Sequence, residues 1–132
     1  MRENRARAMS AGQQQFETLL RNMMSETYKT RKQAESAFSK TRKSQPSQVM
    51  QALLQVGRTS QESDMRQFAL VTLRASLIDG ETKLWSKLNA QTKALIQREL
   101  LVGIEQEADP AVRTNLREAA FDVASDLFEG AN

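Results

Sequence analysis

Asp109-Pro110-Ala111-Val112-Arg113, running on through Thr114 to Leu127, decides how this chain is read. Asp109 suits a helix N-cap, because its carboxylate accepts from the first free backbone N–H groups. Pro110 suits the first helical position, where its missing N–H costs nothing and its φ is already helical. Val112, Leu116, Ala119, Ala120, Val123, Ala124 and Leu127 then recur at helical spacing on one face. The small residues among them let a neighbouring helix approach closely. The stretch reads as the turn and second helix of a helical hairpin. A chain built from such hairpins offers a binding surface rather than a pocket for chemistry.

Working back from this point, the same pattern returns. A helix over Asn89–Glu105 puts Ala94, Leu95, Leu100, Leu101 and Ile104 inside. Before it, Glu81 to Leu88 reads as an inserted connection whose Trp85 plugs the hairpin ends, the usual fate of a buried aromatic. A helix over Asp64–Leu77 packs Met65, Phe68, Ala69, Thr72, Leu73 and Ser76, and Asp79-Gly80 stops it. Thr59 to Ser63 is a turn rich in capping residues. Pro46 opens a helix to Arg58 with Val49, Met50, Leu53, Leu54 and Val56 on its apolar face. Thr41 to Ser47 reads as a polar connection, after a helix over Glu26–Lys40 that Ser25 caps and whose Ala34, Ala37 and Phe38 face inward. The first helix, Gln13–Met24, carries Phe16, Leu19, Leu20, Met23 and Met24 as its stripe. Residues 1–12 are polar and aperiodic and read as a flexible arm.

Composition bounds what such a chain can do. At 132 residues it is one domain by length, 39% hydrophobic and 27% charged, as a folded protein is. It has no cysteine and no histidine, which removes disulfides, thiol chemistry, imidazole general bases and zinc sites made from those ligands. No apolar run approaches the roughly 20 residues of a membrane span, and the arginines of the first residues lead into no apolar core of a signal peptide. The net charge of +3 conceals an asymmetry: +6 over residues 1–44, zero over 45–80 and −3 over 81–132. That polarity suits partners of both signs, although solvated helix faces carry such charge routinely.

The hairpins repeat. Each second helix has an arginine near its start, Arg31, Arg66 and Arg113, spaced by 35 and 47 residues. These spacings bracket the period of HEAT-type hairpins, roughly 40–47 residues. The expected fold is therefore all-α, a right-handed α-solenoid of about three HEAT-type hairpins over 13–132, with units at 13–44, 45–88 and 89–129. Single hairpins of this kind cannot bury their apolar faces and need neighbours.

Signals of catalysis are few. The chain has no Gly-rich phosphate loop, no nucleophile elbow and no metal-ligand spacing, so neither an enzyme nor a cofactor or metal site is expected. Glu105, Glu107 and Asp109 lack the loop arrangement of a calcium site, and helix capping explains Asp109 better. The basic runs Lys29-Thr30-Arg31-Lys32 and Lys40-Thr41-Arg42-Lys43 can meet phosphates. No aromatic residues alternate with them, so nucleic acid is not the expected partner.

Several segments together resemble the N-terminal region of the importin-beta family, the beta-karyopherins that act as nuclear transport receptors. They are Ala34-Glu35, Gln51-Ala52-Leu53-Leu54, Met65 to Arg74, Leu84-Trp85 to Leu88, and Ile96-Gln97-Arg98-Glu99-Leu100-Leu101. Arg31-Lys32-Gln33-Ala34-Glu35 and Arg66-Gln67 look most similar to the importin-five branch. The resemblance covers Phe16 to Leu127. It departs at Arg74-Ala75, where family members often carry Lys-Asn or Arg-Asn. Family receptors are much longer superhelices, of which this chain would hold the first three repeats.

The resemblance implies a receptor fragment that binds the GTPase Ran in its GTP form, an event that releases import cargo proteins. It implies shuttling between cytoplasm and nucleus through the nuclear envelope, with nucleoporins met mainly by later repeats and no membrane partner. In this family the second helix of each repeat lines the concave face. Carried onto this chain, the partner-binding candidates are Lys32 and Glu35, then Gln67 and Arg74, then Glu118 and Asp122. Arg31, Arg66 and Arg113 are expected to bond the turn of a neighbouring repeat. The alternative is a HEAT-repeat scaffold or adaptor for protein assembly unrelated to transport.

Overall fold

The computed structural model describes residues 10–78 and 83–130, with side chains as far as 125. The described residues form an all-α protein of six α-helices and one short 3₁₀ turn: α1 (Ala11–Met23), α2 (Tyr28–Ser44), α3 (Pro46–Thr59), α4 (Ser63–Ile78), the 3₁₀ turn Leu84–Lys87, α5 (Ala90–Gln106) and α6 (Pro110–Gly130). No described helix is long and apolar enough to cross a membrane. Most of the arm expected over 1–12, the Asp79-Gly80 stop and Glu81 lie outside the described residues.

Capping fixes the helix starts. The Ser10 hydroxyl accepts from the Gln13 amide at 3.1 Å, so α1 begins two residues earlier than its apolar stripe indicates. Asn89 caps α5 by accepting from the Thr92 amide at 2.8 Å. The Asp109 carboxylate accepts from the Ala111 and Val112 amides at 2.9 and 3.4 Å, and Pro110 opens α6 as expected. Ser25 does not cap α2: that helix starts at Tyr28, and the Ser25 hydroxyl instead accepts from the Thr27 amide at 3.1 Å.

The expected connection over Thr41–Ser47 is almost entirely helical. α2 continues to Ser44, and Gln45 alone separates it from α3. Its polarity marks an exposed surface rather than a loop. Thr41 and Ser44 turn their hydroxyls onto the carbonyls of Ala37 and Thr41 at 3.0 and 3.2 Å. Arg42 lies with its guanidinium carbon 5.2 Å from the Phe38 ring centroid and donates to the Ser76 hydroxyl on α4 at 2.9 Å.

The core runs through the molecule along the apolar faces of all six helices. Leu20, Met50, Leu53, Val56, Leu70, Leu73, Ile96, Val112 and Leu116 are sealed from solvent. Trp85 is 3% exposed and packs with Leu84 and Leu88 in the core cluster, where the 3₁₀ turn meets α4, so it is a plug as its sequence context predicts. The Lys93 ammonium lies 5.8 Å from its ring centroid. Two glycines let neighbouring helices approach closely. A Cβ on Gly57 would stand 2.7 Å from Leu70 Cδ2, and one on Gly103 would stand 3.1 Å from Leu116 Cδ1. Leu101 and Ala94, expected inside, are exposed, because α5 buries Thr92, Ile96, Leu100 and Gly103 and turns these two outward.

Candidate protein-binding surface

Two sets of polar residues organise the molecule around its apolar core. The first joins the turns. Ser60, between α3 and α4, donates from its hydroxyl to Glu17 of α1 at 2.9 Å. Its carbonyl accepts from the Arg66 guanidinium at 2.7 Å. Arg66 is paired in turn with Glu107, at the end of α5, with Nε 3.3 Å from Oε1 and Nη2 donating to Oε2 at 3.4 Å. Nε lies at ion-pair distance but is not aligned as a hydrogen bond. Both side chains are nearly sealed, 8% and 6% exposed. Glu107 also accepts from the Asp109 amide at 3.0 Å, and the Ser63 hydroxyl donates to the Asp109 carboxylate. That hydrogen bond, then those from the Val112 and Ala111 amides and the nearby Arg66 charge, hold the Asp109 carboxyl below its usual value against a smaller opposing effect of desolvation.

This network revises the part assigned to the repeat arginines. Arg31 donates to the Ser25 carbonyl at 3.0 Å, six residues back, as Arg66 does to Ser60. Each thus ties down the turn of its own hairpin. Arg66 alone also reaches the next turn, through Glu107. Glu107 occupies the position before Arg113 that Ser25 and Ser60 hold before Arg31 and Arg66.

The second set lies on the exposed faces of α2, α4 and α6, and it holds all six residues singled out for partner binding. They do not form one cluster. Lys32 and Glu35 pair with each other along α2 at 3.4 Å, both well exposed. Gln67 is half-buried and donates to the Ser63 hydroxyl at 3.2 Å. Arg74, Glu118 and Asp122 do come together: Arg74 Nε donates to Asp122 at 2.9 Å and Nη1 to Glu118, bridging α4 to α6. Glu118 keeps 51% of its side chain exposed, and Arg74 and Asp122 each keep 28%. The Phe121 side chain, 71% exposed, lies between Ala120 and Asp122 in the sequence of α6, and Val71 of α4 is 48% exposed. Sequence reasoning assigns no role to these two apolar side chains on the helices of the triad, since helical spacing alone does not separate an exposed Phe from a core one.

Two of the open recesses on this molecule carry charged linings. One of about 760 Å³ is lined by Arg58, Arg66, Glu107 and Asp109, and one of about 650 Å³ by Arg21, Glu62 and Asp64. Opposite charges meet within each. Arg58 was missed by sequence reasoning. Its guanidinium donates to Gln106 at 2.9 Å and stands 3.7 Å from Glu99, joining α3 to α5. The signal was present in its position, where a lone arginine closes an otherwise apolar helix face.

No family model matches the chain, and no solved structure matches it.

Proposed function

We propose that this chain is a stack of HEAT-type hairpins belonging to a nuclear transport receptor, and that it binds the Ran GTPase in its GTP form during import of protein cargo. The stack rests on one regularity. Among the described residues, every side-chain hydrogen bond joining residues more than six apart spans 34 to 48 positions. Contacts so spaced join like parts of successive hairpins. Gln51 bonds Thr92 and Arg58 bonds Gln106, so α3 and α5 run in the same direction. Ser63 bonds Asp109 and Arg74 bonds Asp122, so α4 and α6 do the same. The close approaches repeat as well, since Gly57 against Leu70 recurs as Gly103 against Leu116.

The GTPase reading rests on the sequence resemblance and on what the second helices present. Arg74, Glu118 and Asp122 gather both signs of charge at one place, with Phe121 exposed on the same helix as the two acids. Half-exposed pairs of this kind are worth at most about 1 kcal/mol each, so a partner can open them at little cost and re-pair their charges. Titration against Ran loaded with GTP or with GDP tests the reading. Preference for the GTP form is expected, with weaker binding after Arg74→Glu and Glu118→Lys. Equal affinity for both nucleotide forms, or none, rejects it.

A further inference from the structure

Helix α2 carries more positive charge than the core and the GTPase candidates Lys32 and Glu35 explain. It holds six basic residues and one acidic residue, Glu35. Four of them form a stripe: at 100° per residue, Lys29, Lys32, Lys40 and Lys43 fall within about 80° of the helix circumference. All four are exposed, as are Ser36 on the stripe between them and Gln33 at its border. Ion pairs among the described residues engage Lys32 alone of the four, with Glu35 at 3.4 Å, and leave Lys29, Lys40 and Lys43 without a carboxylate. The other two cations are turned to internal work: Arg31 holds the Ser25 carbonyl, and Arg42 holds Ser76. At one end of the stripe Tyr28 is 66% exposed, with Arg31 and Lys32 at 5.6 and 5.7 Å from its ring centroid.

We infer that the Lys29–Lys32–Lys40–Lys43 stripe of α2 binds an extended acidic peptide segment of a partner protein. Its two lysine pairs stand about 16 Å apart along the helix, and the whole stripe is about 21 Å long. An extended chain covers that length with about six residues. Acidic side chains near both ends of such a segment meet the lysine pairs, while its middle crosses Ser36, which is small enough for backbone to lie close. Gln33 offers an amide to that backbone. A nucleic acid fits less well. Tyr28 is the single aromatic on the stripe, so successive bases have nothing to stack on. A longer polyanion also overruns α2.

The test is fluorescence anisotropy with a labelled peptide of alternating Asp and Glu, its Asn/Gln analogue, and an oligouridine of equal length. The acidic peptide is expected to bind the chain, with affinity falling as salt rises from about 50 to 300 mM. Replacing three exposed partners, Lys29→Gln, Lys40→Gln and Lys43→Gln together, should weaken it about tenfold. Arg98→Gln with Arg117→Gln, which removes two exposed cations elsewhere, should leave it unchanged. The three lysines are not among the residues proposed to meet the GTPase, so this outcome is independent of that reading. Equal binding of the Asn/Gln analogue, full affinity in the triple variant with its circular dichroism unchanged, or tighter binding of oligouridine overturns the inference.

Discussion

Arg66 and Glu107 show what a buried charge does in a fold made of helices. The pair is nearly sealed from water, and each partner has further bonds, Arg66 to the Ser60 carbonyl and Glu107 to the Asp109 amide. Such a pair need not add stability relative to apolar side chains, but removing one member strands the other. Glu107→Ala should therefore cost about 3–5 kcal/mol in urea unfolding, a large share of a small domain's stability. A further Arg66→Met should recover part of that loss rather than add to it. Asp109 makes a different kind of contribution. Its carboxyl titrates lower in the fold than in the unfolded chain, so its stabilisation is present above the unfolded value and fades as pH falls through the folded one. Asp109→Ala should lower the melting temperature at neutral pH. It should narrow the gap to the parent chain as the medium is acidified below about pH 4, where the parent loses the same interaction.

At the scale of elements, helices α3 and α4 are set by one close approach. Gly57 leaves no side chain where Leu70 Cδ2 and Cγ stand, 2.7 and 2.8 Å from where a Cβ would be, and Leu70 is itself sealed in the core. Alanine at this position gains about 1 kcal/mol of helix propensity but must displace a packed leucine, which costs about 1–3 kcal/mol. Gly57→Ala is expected to be destabilising on balance, by up to about 2 kcal/mol in thermal or urea unfolding. If it stabilises instead, Leu70 has room to move and the approach is loose. The glycines also show where sequence reading stops. Helix boundaries followed from caps and from apolar spacing at Pro46, Asn89 and Asp109, because those residues act locally. Gly57 and Gly103 act through partners 13 residues away on the following helix, and a single helical pattern carries no trace of that contact. The stretch Thr41–Ser47 misled for a related reason, since its polar residues belong to an exposed helix end bonded to its own carbonyls.

The whole molecule adds a question that neither residues nor helices answer singly, namely which apolar face is closed. Six positions on α5 and α6, Gln97, Leu100, Leu101, Ala120, Val123 and Ala124, line an open apolar recess of about 300 Å³. At the 47-residue spacing that separates Arg66 from Arg113, the positions one hairpin earlier are Met50, Leu53, Leu54, Leu73, Ser76 and Leu77. These are at most 3% exposed, on helices that α5 and α6 pack against. At two of these positions the side chain is thus interior in one hairpin and surface in the next: Leu54 and Leu77 are buried, whereas Leu101 and Ala124 are exposed. That is why the sequence places Leu101 inside and the structure leaves it 62% exposed, whereas Leu54 is 3% exposed. The stacked reading makes the two leucines a matched pair. A glutamate at position 54 would bury a charge with no partner, at several kcal/mol, and Leu54→Glu should unfold the chain or bring it to the edge of stability. Leu101→Glu should change the urea midpoint little, about 0.5 kcal/mol or less, because the carboxylate stays in water. Circular dichroism of both variants decides the matter. Equal loss of helix at the two positions would mean that the α5–α6 face is covered in solution, and equal tolerance would mean that hairpins two and three are not packed at the repeat spacing.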